Sequence, residues 1–179
     1  DDYLSSKYCK ATNYFQNASA VIKEMTKSKP KLVFENDVTI GRGTMIRPSS
    51  YYGRDLGNGL RVGENSSIGP HGYVGCSGMI TIGKNVMIGP KCSLFAENHI
   101  FSDTEKTIKS QGVKQTGIMI GDDCWIGSNV IILDGVTIGK GSVIGAGTLV
   151  SEDIPAGSVV IDKREKRIKN RFGTVQDNT

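Results

Sequence analysis

The sequence predicts an all-β fold in which the chain winds into a three-sided column of short parallel strands. Between residues 120 and 150 a branched aliphatic residue recurs at every sixth position, and glycine follows it in four of the six cases. A small or β-branched residue comes four positions after most of these aliphatics. A period of six is neither the 3.6 of an α-helix nor the 2 of an amphipathic strand. It indicates a corner after every short strand. The six positions are Ile120, Ile126, Ile132, Ile138, Ile144 and Val150.

The same repeat can be followed upstream, which gives fourteen six-residue units, and glycine follows the aliphatic residue in ten of them. Three units make one turn of the column, and successive turns stack at the strand spacing of about 4.8 Å. The aliphatic side chains point inward, and glycine is expected where the corner needs a permissive backbone. The upstream positions are Ile40, Ile46, Val62, Ile68, Val74, Ile82, Ile88 and Leu94.

Two segments interrupt the repeat. The first is the glycine-rich stretch Tyr52–Arg61, and the second is the longer, polar stretch His99–Gly117. Loops that project from a rigid scaffold often carry binding and catalytic groups. The second loop is therefore the expected location of the chemistry.

The ends of the column need other structure. Asn13–Lys27 predicts a short amphipathic helix that ends before Pro30, so we expect residues 1–36 to form an N-terminal helical cap. Residues 37–161 form the column with the protruding loop 99–117. Ile154-Pro155 breaks the pattern, and residues 162–179 form a basic C-terminal tail.

Composition excludes several classes of protein. The 179 residues carry a net charge of +4, part of it in the tail, which argues against a nucleic-acid-binding face over the whole body. No apolar run reaches the length of a membrane span, and no signal-peptide pattern opens the chain. The first residue is Asp1, so we expect that a short N-terminal piece is missing. The four cysteines lack zinc-site spacing and indicate buried free thiols in a reducing cytoplasm.

Three features together resemble the hexapeptide-repeat acyltransferases, specifically the sugar and polysaccharide O-acetyltransferase group that includes galactoside and maltose acetyltransferases. They are the repeats, the loop that opens with Asn98-His99, and residues 118–155. The resemblance implies a left-handed parallel β-helix and a homotrimer with active sites at the subunit interfaces. It also implies acetyl-CoA as the acyl donor, with no metal required.

His99 is the candidate catalytic residue. An alcohol is a poor nucleophile until its proton is removed, and an imidazole can remove it near neutral pH. In the family the histidine at this place is the general base. Glu97, Asn98 and Asp103 are candidates for supporting the base or the acceptor, although each also has a structural interpretation. The second histidine, His71, is expected at the surface or at an interface.

The donor-binding residues are assigned by the resemblance. A main-chain amide at Ser128 would stabilise the oxyanion, Trp125 would line the donor channel, and the backbone of Ala146 would contact the pantetheine arm. Lys166 and Lys169 match basic positions that face the phosphates of coenzyme A.

The function these observations predict is acetyl transfer from acetyl-CoA to a sugar hydroxyl. Gly69 and Ser77 replace two polar acceptor-binding residues of galactoside-type relatives. The acceptor is therefore expected to be another sugar, in a surface polysaccharide such as capsule or O-antigen. The alternatives are N-acetylation of an amino sugar, a zinc hydratase and a non-enzymatic scaffold. Two histidines make a three-histidine zinc site hard to build.

Overall fold

Three parallel sheets form the walls of a column in the computed structural model, which describes residues 32–48 and 57–163. Each turn adds one strand to each wall. Face 1 consists of β1 (Leu32–Phe34), β4 (Leu60–Val62), β7 (Ile80–Ile82), β12 (Ile118–Ile120) and β15 (Thr137–Ile138). Face 2 consists of β2 (Thr39–Ile40), β5 (Ser67–Ile68), β8 (Met87–Ile88), β13 (Trp125–Ile126), β16 (Val143–Ile144) and β18 (Val159–Val160). Face 3 consists of β3 (Met45–Arg47), β6 (Tyr73–Gly75), β9 (Ser93–Phe95), β14 (Ile131–Ile132) and β17 (Leu149–Val150).

The architecture is the predicted left-handed parallel β-helix. Within each face the inward residues are in register, so that Ile126 pairs with Ile88 on one side and with Ile144 on the other. Of the fourteen predicted inward aliphatics, twelve are buried, and Ile40 and Ile46 in the first described turn are partly buried. Removing these side chains from water is the main driving force for stacking the turns.

The column extends beyond the predicted repeat at both ends. Phe34 lies six residues before Ile40 in strand β1, upstream of the expected boundary at residue 37, and packs against the core. The sequence pattern missed it because glutamate, not glycine, follows. After Val150 the coil continues through Ile154 and Val160, which pair with Ile138 and Ile144. Paired positions are 16 residues apart in this turn and 18 in the turn before it, so Ile154-Pro155 shifts the repeat and does not end it.

The structure corrects the expectation that the glycine after each aliphatic residue provides a permissive backbone at the corner. The residue with positive φ, between 56° and 89°, is the third after the inward aliphatic residue. The glycine directly after the aliphatic residue is required for a different reason, the close approach of the next turn. A Cβ on Gly127 would lie 2.6 Å from the main-chain nitrogen of Ala146, and one on Gly121 would lie 2.6 Å from that of Lys140. Close packing of turns, not backbone freedom, excludes a side chain there.

The three corners are named by the faces that they join. Corner 1–2 comprises residues 35–38, 63–66, 83–86, 121–124, 139–142 and 155–158. Corner 2–3 comprises residues 41–44, 69–72, 89–92, 127–130 and 145–148. Corner 3–1 comprises residues 76–79, 96–117, 133–136 and 151–153. Small side chains at the fourth corner position bridge turns: the Ser66 hydroxyl donates to the Gly83 carbonyl and accepts from the Val86 N–H.

Cys76, Cys92 and Cys124 are buried free thiols, as the sequence indicates, and Cys9 lies outside the described residues. Burial raises the pKa of the Cys76 thiol from 9.0 to about 12, and it also raises the pKa of Cys92. A thiol that stays protonated is a poor nucleophile, so neither group is suited to covalent chemistry.

The long loop leaves the column at corner 3–1 and carries its own structure. Strand β10 (Asn98–His99) pairs antiparallel with β11 (Val113–Lys114), and a one-turn helix, α1 (Ile108–Gln111), lies between them. The predicted helix at Asn13–Lys27 and most of the basic tail lie outside the described residues, as does most of the first interruption. No helix in the described part of the chain has the length and apolarity to span a bilayer.

Candidate active site

His99 lies in the first strand of the loop hairpin, at the point where the chain leaves corner 3–1. It pairs with Val113, and the next residue, Ile100, donates its N–H to the Gly112 carbonyl at 3.1 Å. The His99 side chain is half-buried. The hairpin therefore holds the imidazole at the root of the loop, where its backbone is fixed by strand pairing.

The rest of the loop is organised around Gln111. Its side-chain oxygen accepts from the Asp103 N–H at 3.0 Å, and its side-chain nitrogen donates to the Asp103 carbonyl at 3.0 Å. The Asp103 carboxylate accepts from the Glu105 N–H and forms an ion pair with Lys106 at 2.6 Å. These contacts give Asp103 a structural role in the turn, the interpretation that the sequence had left open.

Glu97 lies two residues before His99, at the same corner. Its Oε2 accepts a hydrogen bond of 2.7 Å from the hydroxyl of Ser77, which is buried on the preceding turn. The Glu97 carboxylate is half-buried and is held against the column below the hairpin. Asn98 is exposed and pairs with Lys114 across the hairpin. Of the three supporting candidates, Glu97 is the carboxylate that hydrogen-bonds to the column, two residues before His99.

The end of the loop is attached to the column by hydrogen bonds to Asp134, a residue that the sequence analysis did not single out. The Asp134 carboxylate accepts from the Thr116 N–H at 3.0 Å and from the Gly117 N–H at 2.7 Å. The available signal was the aspartate in Leu133-Asp134-Gly135, where the usual glycine after the inward residue is absent. Both ends of the His99 loop are thus attached to corner 3–1.

The donor-binding candidates lie on face 2 and corner 2–3. Trp125 points outward from β13 between Met87 and Val143, and its side chain is 54% exposed. Ser128 and Ala146 occupy the second position of corner 2–3 on consecutive turns, and the Gly147 N–H donates to the Ser128 carbonyl at 2.8 Å. Trp125, Ser128 and Ala146 therefore share one edge of the column.

The main-chain N–H groups of Ser128 and Ala146 have no acceptor in the described part of the chain. Pro70 and Pro90 occupy the same corner position on the preceding turns and have no N–H. Two preorganised donors are thus available on adjacent turns, which is the arrangement an oxyanion or a carbonyl oxygen requires.

Within one chain, His99 and the amides of Ser128 and Ala146 lie at different corners of the column. His99 lies at corner 3–1 and Ser128 at corner 2–3, at opposite edges of face 3. Six residues separate equivalent positions at the two corners, a span of at most about 20 Å. Lys166 and Lys169 lie outside the described residues. In the described part of the chain, no three His, Cys, Asp or Glu side chains are grouped to hold a metal ion.

The chain is similar in sequence and fold to known proteins of one family. Residues 117–152 match the family described as bacterial transferase hexapeptide (six repeats). The galactoside O-acetyltransferase of Escherichia coli (strain K12) is 33% identical over 134 residues, which cover 74% of this chain and 64% of that protein. A Staphylococcus aureus (strain COL) protein named as an acetyltransferase is 32% identical over 162 residues, which cover 90% of this chain and 79% of that protein. A solved galactoside acetyltransferase in complex with coenzyme A is 30% identical with a TM-score of 0.55, covering 83% of this chain and 68% of that chain.

The lengths of these proteins differ. The chain spans less than two thirds of the length of several curated relatives that it matches, the Escherichia coli protein among them. The Staphylococcus aureus protein is matched over most of both chains.

Proposed function

This chain belongs to the bacterial hexapeptide transferases, in the sugar acetyltransferase group, and we propose that it transfers an acetyl group from acetyl-CoA to a sugar hydroxyl. The observation that carries the proposal is the pair of open main-chain N–H groups at Ser128 and Ala146 on one edge of the column. The relative solved with coenzyme A shares this fold and supports the choice of donor.

The reaction uses these groups in a fixed order. His99 removes the proton from the acceptor hydroxyl, and the oxygen attacks the thioester carbonyl carbon of acetyl-CoA. The Ser128 N–H donates to the oxyanion that forms, and the Ala146 N–H donates to the pantetheine arm. Collapse of the tetrahedral intermediate breaks the C–S bond. The proton held by His99 then goes to the thiolate of coenzyme A, which leaves the acetyl ester as product.

A homotrimer completes the site in this proposal. Corner 3–1 of one chain would supply His99, and corner 2–3 of its neighbour would supply Ser128 and Ala146. Exposed apolar side chains flank corner 2–3 on both faces and support an interface there. They are Met45, Met87, Trp125, Ile131 and Leu149.

The remaining assignments follow from the same arrangement. Trp125 would line the donor channel, and Lys166 and Lys169 would meet the phosphates of coenzyme A. The acceptor would be a unit of a surface polysaccharide, such as capsule or O-antigen. The three buried free cysteines support action in a reducing compartment, the cytoplasm.

Replacing Ser128 by proline tests the proposal at one atom. Proline stands at the same corner position in Gly69-Pro70 and Gly89-Pro90, so the backbone of Gly127-Ser128 should accept it while the N–H is lost. We expect kcat for acetyl transfer to fall by about 10²- to 10³-fold, the usual effect of removing one oxyanion donor. Release of coenzyme A on a panel of hydroxyl and amino sugars measures it.

Lys140→Pro is the matched control, because Lys140 follows Gly139 at the second position of corner 1–2, and its N–H also has no partner among the described residues. It should retain kcat. Equal kcat in Ser128→Pro and wild type would reject the oxyanion assignment. Transfer to amino sugars alone would favour N-acetylation over the proposed reaction.

A further inference from the structure

Corner 2–3 carries a column of cationic and imidazole side chains on the three turns that precede Ser128. Arg42, His71 and Lys91 are all exposed. The His71 N–H donates to the Arg42 carbonyl at 3.0 Å, and the Lys91 N–H donates to the Pro70 carbonyl at 2.9 Å. The three residues therefore lie on consecutive turns along one edge, about 4.8 Å apart per turn.

Two of these residues occupy backbone positions that rarely hold such side chains. Twelve described corner residues have the left-handed conformation at the third position, and ten of them are glycine, asparagine or aspartate. The other two are His71, with φ 57°, and Lys91, with φ 58°. A left-handed lysine costs about 1 kcal/mol or more relative to glycine. Lys91 therefore presents its cation at this edge at a cost in backbone energy.

The turn below makes room for the imidazole of His71. A Cβ on Gly43 would lie 2.6 Å from His71 Nδ1, so the ring covers the Gly43 backbone. The imidazole therefore lies along the edge, next to Arg42. The backbone hydrogen bonds along this corner place Lys91 on the turn that follows His71.

The positive charge of this edge is not neutralised locally. The described part of corner 2–3 contains no aspartate or glutamate, and Arg42 and Lys91 take no part in the ion pairs found among the described residues. Corner 1–2 is different, because Lys84 there pairs with Glu64 at 3.3 Å. The carboxylates of corner 1–2 are Glu35, Asp37, Glu64, Asp122 and Asp123.

The edge also lies in the right place for an acceptor. The Asn129 N–H donates to the Pro90 carbonyl at 2.9 Å, so Lys91 is one turn from Ser128. The proposed donor extends from Ser128 in the opposite direction, toward Ala146. A donor in this position leaves the side of Lys91, His71 and Arg42 open to the acceptor.

We propose that the acceptor is an anionic saccharide, with carboxylate or phosphate groups bound by Arg42, His71 and Lys91. This inference rests on the proposed acetyl transfer and specifies the substrate class of the same site. An anion along the edge would form charge-assisted hydrogen bonds with the three side chains and would orient the hydroxyl toward His99 of the neighbouring chain.

The test uses the full-length protein and the triple variant Arg42→Gln, His71→Asn, Lys91→Asn. Asparagine already occupies the left-handed position at Asn65, Asn85 and Asn129, so the variant should keep the backbone. Lys140→Gln, which removes an exposed cation from corner 1–2, is the control. The probes are trigalacturonate for carboxylates, UDP-N-acetylglucosamine for phosphates and maltotriose as a neutral saccharide. Calorimetry with coenzyme A present measures binding, and coenzyme A release measures transfer.

We expect at least one anionic probe to bind more tightly than maltotriose, and the triple variant to weaken that binding by about 10- to 100-fold. The control should match wild type, and the KM for acetyl-CoA should not change. Which anionic probe binds separates the carboxylate source from the phosphate source.

Three results would overturn the inference: no preference for either anion over maltotriose, unchanged anion binding in the triple variant, or a raised KM for acetyl-CoA with acceptor binding intact. Failure of the proposed function has a different signature. It would be the absence of coenzyme A release with every acceptor while anion binding still depends on the three side chains.

Discussion

Corners 1–2 and 2–3 share one backbone design and differ in what their second-position amides do. At corner 1–2 the Lys84 N–H donates to the Asp122 carboxylate at 2.8 Å, and the Glu64 N–H donates to the Glu35 carboxylate at 3.1 Å. At corner 2–3 the equivalent positions are two prolines followed by the open N–H groups of Ser128 and Ala146. Corner 1–2 uses these two amides to join turns and leaves those of Asp122, Lys140 and Ala156 without an acceptor among the described residues, whereas no second-position amide of corner 2–3 donates to another turn.

In the proposed function, this difference is what would give a regular coil a single reactive edge. Every turn offers the same backbone geometry, so the repeat alone does not choose a corner. Carboxylates satisfy amides at corner 1–2 and would repel an anionic ligand there, whereas corner 2–3 has no carboxylate in its described residues. The choice is made by side chains that the six-residue period leaves unspecified.

The largest expected effect comes from the third corner. Replacing His99 by alanine should lower kcat for acetyl transfer by about 10²-fold or more, because the acceptor hydroxyl loses its base. Stopped-flow detection of coenzyme A release measures it. Binding of coenzyme A by calorimetry should stay within error of wild type, and Lys140→Gln serves as the neutral control. Turnover near the wild-type rate would leave corner 2–3 as the sole catalytic edge and remove the proposed role of corner 3–1.

The two corners should be equal as scaffold. Gly121→Ala at corner 1–2 and Gly127→Ala at corner 2–3 each place a methyl group 2.6 Å from the backbone of the next turn. We expect each to lower the free energy of unfolding by about 2–3 kcal/mol through overpacking. Urea denaturation followed by circular dichroism measures the loss. Gly145→Ala is the matched control, since its nearest contact is 3.2 Å. A much larger loss at one corner would mean that the corners differ in packing and not only in chemistry.

Most of the fold could be predicted from the sequence. The six-residue period identifies Ile126 and its equivalents as the inward side chains, and the structure buries them. The two ends of the column were harder to predict. No glycine follows Phe34, and the turn that leads to Val160 is two residues shorter than the turn before it. His99 was placed correctly at the root of a loop, but its hairpin with Val113 follows no period. The positive φ at Lys91 was also missed, because the glycine directly after the aliphatic residue concealed the left-handed position two residues later.

A smaller effect, on stability alone, is expected from a substitution at corner 1–2, away from the site proposed at corner 2–3. Asp122→Ala removes the acceptor of the Lys84 N–H and should cost about 1 kcal/mol of stability, the usual net value of one hydrogen bond. The kcat for acetyl transfer should not change, because corner 1–2 does not face the proposed donor. Thermal unfolding and coenzyme A release on the same sample measure both quantities. A loss of kcat without a loss of stability would contradict the division between the two corners.

The smallest effect concerns Cys76 at corner 3–1. Burial raises its pKa from 9.0 to about 12, so the folded protein holds the thiol proton more tightly than the unfolded chain does. The resulting stabilisation is complete below pH 9 and is lost as pH rises from about 9 toward 12, because only the unfolded chain ionises in that window. At pH 10 the loss should be on the order of 1 kcal/mol relative to pH 8. Cys76→Ala lacks the titrating thiol, so its unfolding free energy in urea should fall less between these two pH values than that of wild type. Equal falls in the two proteins would show that the thiol does not titrate differently on unfolding, and that the interior of corner 3–1 admits water beside the His99 loop.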